Sequence, residues 1–160
     1  MKSTKLCIMT IMLACSVLFF LPLVASADAG PDNTTFDQQV NPAQVTALYQ
    51  AAYDQMKAGH YRDAISDFKQ VLSLDKNHAM AYTNMAYSYR QLGKYKKAIK
   101  LYHNALAIAP NLAEAHEYLG GALLELGQID EAKKHLAILE KLDPRLAKEL
   151  RDDIARHERS

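Results

Sequence analysis

A gapless 34-residue period constrains this chain more than any other feature. Gly59, Gly93 and Gly127 recur at that interval, as do Ala64, Ala98 and Ala132, and Leu74, Ile108 and Leu142. The stretches GHYRDAISDFKQVLSLDK, GKYKKAIKLYHNALAIAP and GQIDEAKKHLAILEKLDP therefore align without insertion, and each follows a helical stretch that ends at its glycine. A repeat of this length is one supersecondary unit. It cannot bury its apolar face alone, so neighbouring units must stack into one continuous core.

The spacing within a unit has a physical reading. Gly93 ends a first helix in the left-handed conformation, which a residue with a β-carbon adopts at a cost. Ala86 and Ala98 are small where the two helices of a unit approach, and Tyr95 and Tyr102 fill the space beside that contact. Pro110 ends the second helix. Asn41-Pro42 supplies an N-cap and a first-turn proline for the first helix, and Asp143-Pro144 repeats the device near the other end. Leu146, Leu150 and Ile154 recur every four residues opposite Arg145, Lys148, Arg151 and Asp152, the pattern of an amphipathic helix covering the last unit. Helices are expected near 42–57, 61–74, 78–91, 95–108, 112–126, 129–142 and 144–157.

This spacing resembles the tetratricopeptide repeat. The second unit carries the pattern most fully, in Tyr82, Met85, Ala86, Tyr89, Gly93, Tyr95, Ala98, Tyr102, Ala105 and Pro110. The departures are Lys76 in place of a proline, and Gln55 and His116 at usually apolar positions. The resemblance implies an all-α, right-handed superhelical solenoid over residues 42–157. It consists of three helix-turn-helix units (45–78, 79–112, 113–146) and a capping helix (144–157). It also implies a concave groove lined by one stripe of each first helix. That stripe holds Thr46, Tyr49, Tyr53, Met56 and Lys57, then Met80, Thr83, Tyr87, Arg90 and Gln91, then Glu114, Glu117, Gly121, Leu124 and Glu125. Tyr49, Tyr53 and Tyr87 lie there with no packing duty implied; the alternative is that they half-bury against neighbouring helices. Family members that grip acidic chaperone tails use two lysines, two asparagines and an arginine as a clamp. The matching positions here are Tyr49, Tyr53, Asn84, Glu114 and Tyr118, so only one clamp residue is retained.

Residues 1–27 read as a secretory leader: Lys2 and Lys5, an apolar run, then Ala25-Ser26-Ala27 with a cut expected after Ala27. Residues 28–41 read as a polar tether. The alternative is an uncleaved membrane anchor over residues 6–25. Cys7 and Cys15 both lie in the leader. The remaining chain can form neither a disulfide nor a thiolate metal site. Losing the leader removes two of the 19 basic residues and none of the 18 acidic ones, which leaves a net charge of −1. Such a balance gives no support for nucleic-acid or membrane-surface binding.

No catalytic constellation is visible. His116-Glu117 begins like a zinc-protease helix, but Gly120 stands where the second histidine belongs. The six histidines read as scattered over different faces. A weak metal site at Glu114, His116 and Glu117 is less consistent with the pattern than solvated helix surface. Lys94, Lys96, Lys97 and Lys100 read as a charged outer face, repeated by Lys133 and Lys134. The sequence thus predicts a non-enzymatic, cofactor-free protein-interaction scaffold of the bacterial periplasm or exterior. Its groove would take a peptide or helix of a partner through Tyr49, Tyr53, Met56, Lys57, Met80, Thr83, Asn84, Tyr87, Arg90, Glu114, Glu117 and Glu125. The alternative is a structural module that self-associates into a homo-oligomer.

Overall fold

The computed structural model describes residues 41–159. The leader, and all of the tether except Asn41, lie outside the described residues. Seven helices follow one another: α1 (Pro42–Lys57), α2 (Tyr61–Leu74), α3 (Ala79–Gln91), α4 (Tyr95–Ile108), α5 (Ala113–Leu124), α6 (Ile129–Leu142) and α7 (Pro144–His157). No strand occurs among the described residues. None of these helices is long and apolar enough to cross a membrane.

Local chemistry sets the boundaries. Asn41 belongs to the first helix rather than to the tether, because its side chain accepts from the Ala43 amide. Asp143 caps α7 by accepting from the amides of Arg145 and Leu146. Gly59, Gly93 and Gly127 have φ of 81°, 70° and 70°, the left-handed turn expected after each first helix. Three boundaries differ from expectation, one of them the start of α5 at Ala113 rather than at 112. His78 caps α3 through its ring nitrogen instead of entering the helix. The fifth helix stops at Leu124, because the Gly127 and Gln128 amides turn back to the carbonyls of Leu124 and Leu123.

Among the first helices, α3 touches both α1 and α5 along one side, whereas the backbones of α2, α4 and α6 do not approach one another closely. That asymmetry curves the stack, with first helices inside and second helices splayed outside. Two buried clusters run through it. One joins α1, α2 and α3 through Ala52, Phe68, Val71, Ala81 and Met85. The other runs from Ala86 and Tyr102 to Leu139, Leu150 and Ile154. The capping helix packs on α5 and α6, burying Leu146, Ala147, Leu150 and Ile154. Each fully buried large side chain of this kind contributes roughly 1.5–3 kcal/mol.

Candidate functional site

The inner face carries a concave pocket of about 280 Å³. Its walls are Tyr53 on α1, Tyr61 on α2, Tyr87 on α3 and Tyr118 on α5, with Met56, Met80 and Asn84 at its base and Lys57 and Glu114 at its rim. The rings form a connected wall. Tyr87 lies edge-on to Tyr61 at 6.3 Å and 5.2 Å from Tyr118, which in turn lies 6.3 Å from Tyr102. Helical spacing explains the convergence, since residues three and four apart share a face and the three first helices present the same face in turn.

Seven of the twelve expected groove residues line this pocket: Tyr53, Met56, Lys57, Met80, Asn84, Tyr87 and Glu114. Five do not. Tyr49 sits beneath it, stacked on His78 at 4.8 Å, and its hydroxyl accepts a 2.8 Å hydrogen bond from Asn84. Burial raises the Tyr49 phenol. Thr83 is 0% exposed, and its hydroxyl donates to the Ala79 carbonyl. Met56 (7% exposed) and Asn84 (4%) are also buried rather than free on the groove surface. Tyr49, Tyr53 and Tyr87 likewise pack against the first core cluster, so half-burial is the correct reading. Glu125 stands at the end of α5, where its charge raises the Tyr95 phenol.

Arg90 and Glu117 form a separate feature between α3 and α5. The Arg90 guanidinium lies on Gly121, where an added Cβ would meet its nitrogen at 3.0 Å. Burial pushes Glu117 up to about 7 against the opposing pull of Arg90, with Glu149 and Asp153 of α7 adding to the rise. The capping helix therefore contributes to the electrostatics of this end. Beneath lies Tyr102, fully buried, with a hydroxyl that has no hydrogen-bond partner among the described residues.

Tyr61 and Tyr118 were not assigned to the groove from sequence. Tyr118 occupies a clamp position of the family, which was the available signal, whereas Tyr61 carried none. The histidines correct a second expectation. His116 is 5% exposed rather than solvated, and its Nδ1 lies 2.9 Å from Nδ1 of His135 on α6. The Pro110 carbonyl, 2.8 Å from His116 Nε2, can only accept, so that nitrogen carries the proton. Neutral His116 then accepts from His135 Nδ1–H. Burial, together with His116 and His103, lowers His135 to about 4. No group of three or more His, Cys, Asp or Glu among the described residues is placed to hold a metal ion.

Stacked helix-turn-helix units with an inner groove define a helical-repeat solenoid. Models of the tetratricopeptide repeat match residues 45–78 and 79–112, so the chain carries tetratricopeptide repeats over that span. None of the curated proteins matches it. Among solved structures, it is similar to the first repeat domain of Spaghetti (RPAP3) bound to the HSP90 peptide SRMEEVD. That likeness has 25% identity and a TM-score of 0.67, covering 75% of this chain and 97% of that one. It is also similar to the Yersinia enterocolitica type III secretion chaperone SycD in complex with a peptide of the translocator YopD. There the identity is 22% and the TM-score 0.65, covering 74% and 92%. A third is PcrH in complex with the chaperone binding region of PopD, at 20% identity and TM-score 0.68, covering 74% and 93%. The last two establish the shared fold.

Proposed function

We propose that this chain is a non-enzymatic interaction scaffold of the cell envelope whose concave groove holds an extended segment or helix of another protein. The tyrosine-walled pocket carries this reading. Rigid amphipathic rings beside methionines, with one basic and one acidic residue at the rim, have the composition of a binding hot spot. The RPAP3 domain, of the same architecture, is solved with a peptide bound. The ligand chemistry should differ from that acidic peptide. Glu114 stands at a clamp-lysine position, and Asn84, the one retained clamp residue, is engaged by Tyr49. A segment with an aromatic or apolar anchor and a basic flank suits the pocket and its Glu114 rim. Export is part of the proposal and rests on the leader pattern alone. Mass spectrometry of the exported protein should find Asp28 at its N-terminus, whereas an intact Met1 in the membrane fraction would establish the anchored form.

The groove is tested by placing a photo-crosslinking amino acid at Met80 and identifying the captured protein. Its binding is then measured against variants. Because the tyrosines also pack, the rim provides the cleaner substitutions: Glu114→Lys and Lys57→Glu change exposed side chains. Glu114→Lys should slow association and weaken binding about tenfold, and Tyr53→Ala should lower affinity by about 1–4 kcal/mol. Wild-type affinity in both variants would remove the groove from the function.

A further inference from the structure

The second unit differs from its neighbours in charge. It contains Arg90, Lys94, Lys96, Lys97 and Lys100, yet no acidic residue occurs between Asp75 and Glu114. These four lysines and Lys69 of α2 form no ion pair among the described residues. Lysines three and four apart on one helix repel each other. Those in the first turn of α4 also oppose its dipole, whose positive end lies there. Both effects are unfavourable in the isolated chain, and a bound anion would offset them.

Three of these lysines, Lys69, Lys97 and Lys100, border an open apolar depression. Because the backbones of α2 and α4 do not approach each other closely, a valley runs between them on the outer side, with α3 behind it. It is an open depression of about 400 Å³, with Met85, Tyr89 and Leu101 as floor and Lys69, Lys97 and Lys100 as rim. The ammonium groups of Lys94 and Lys97 stand 5.9 and 5.7 Å from the Tyr89 ring centroid.

We propose that this valley is a second docking surface, separate from the concave groove, for an acidic protein segment that inserts one bulky apolar side chain over Met85, Tyr89 and Leu101. The recessed floor selects this occupant. A bilayer surface would meet the lysine ammonium groups but leave the apolar floor below them uncovered. A peptide can satisfy both, its carboxylates on the rim and its side chain in the depression.

The test uses the 15N-labelled full chain and two synthetic peptides, three glutamates on either side of a central phenylalanine or a central alanine. The phenylalanine peptide should shift the amides of Lys69, Tyr89 and Leu101 and bind at least tenfold more tightly than the alanine peptide. Its affinity should fall at least tenfold in the double variant Lys97→Glu, Lys100→Glu, both exposed positions whose reversal leaves the core untouched. It should be unchanged in Glu114→Lys. Equal binding of the two peptides would reduce the valley to a non-specific cationic surface and overturn the proposal. So would shifts centred on Tyr53 and Tyr87, or a failure of either peptide to bind while phosphatidylglycerol vesicles bind with the same lysine dependence.

Discussion

The outer face of α4 and the α6–α7 end carry similar lysine doublets, Lys96-Lys97 and Lys133-Lys134, and use them differently. Lys133 pairs with Glu158 at 2.7 Å and Lys134 with Glu131 at 2.6 Å. Arg145, Lys148 and Arg151 pair with Glu149, Asp152 and Glu140, and Arg156 with Asp153. Every ion pair among the described residues lies between positions 131 and 158. The same residue type is therefore closed off at one end and left open in the middle. What decides is whether an acid stands within a turn or on the facing helix. Exposed pairs stabilise little, typically 0–1 kcal/mol, so the main effect of pairing is on what the surface can still bind.

The largest expected contrast separates core from valley floor. Leu150 is fully buried, its methyl groups where a Cβ on Gly120 would stand, at 2.6 Å. Leu150→Ala should cost about 2–5 kcal/mol in urea unfolding. Leu101→Ala, at a half-buried position, should cost about 1 kcal/mol. Equal costs would mean that the valley floor is ordinary core, which would count against docking there.

Acid should act next, on the C-terminal end. His135 binds its proton near 4 when folded and near 6.5 when unfolded. As pH falls from 6.5 towards 4, the unfolded chain takes up a proton that the folded one refuses, so stability present above 6.5 is progressively lost. The loss should be on the order of 2 kcal/mol after allowance for solvent screening. His135→Asn should flatten this window in a series of denaturant titrations. Hydrogen exchange should show α5 and α6 losing protection before α1 and α2.

Glu117 works in the opposite direction. Its folded value near 7 lies above the ordinary 4.5, so the folded state holds the proton more tightly, and stability falls as pH rises from 4.5 through 7. Glu117→Gln should therefore gain roughly 1 kcal/mol at pH 8 and nothing at pH 4. The two windows overlap and partly cancel in the wild type; only the single variants resolve them.

The smallest contrast separates a paired cation from an unpaired one. Arg151→Ala removes the 2.6 Å pair with Glu140 and should cost up to about 1 kcal/mol at low salt. Lys97→Ala removes repulsion from the neighbouring lysines together with the 5.7 Å contact to the Tyr89 ring, and the two opposing effects should leave stability within a few tenths of a kcal/mol. Thermal unfolding at two salt concentrations checks both, and a loss above about 1 kcal/mol in Lys97→Ala would mean that the Tyr89 contact outweighs the repulsion.

The repeat architecture was legible because it rests on local signals: glycine at each left-handed turn, proline or an acceptor at each cap, alanine at each close approach. The groove was half legible. Position on a helix tells which way Thr83 or Met56 faces, but not how deeply it is buried, since that depends on the interhelical distance. His116 and His135 illustrate the same limit. Their 19-residue separation matches no single-helix spacing, and only the antiparallel packing of α5 on α6 brings them together. The valley lay in between. The acid-free run after Asp75 can be read directly from the letters, whereas the recess between α2 and α4 exists only once the outer helices splay.

The order of contacts has a kinetic consequence. Each helix touches only the next one or the next but one; no contact joins α1 to α4 or anything beyond it. A chain with such local connectivity closes only short loops on the way to its native state, the topology associated with fast folding. Its stability is close to a sum of nearest-neighbour terms, so damage at one end weakens the other only through the interfaces between. A lesion at Leu150 should accordingly fray α7 and α6 first, leaving the part of the tyrosine pocket built by α1, α2 and α3 as a last folded island.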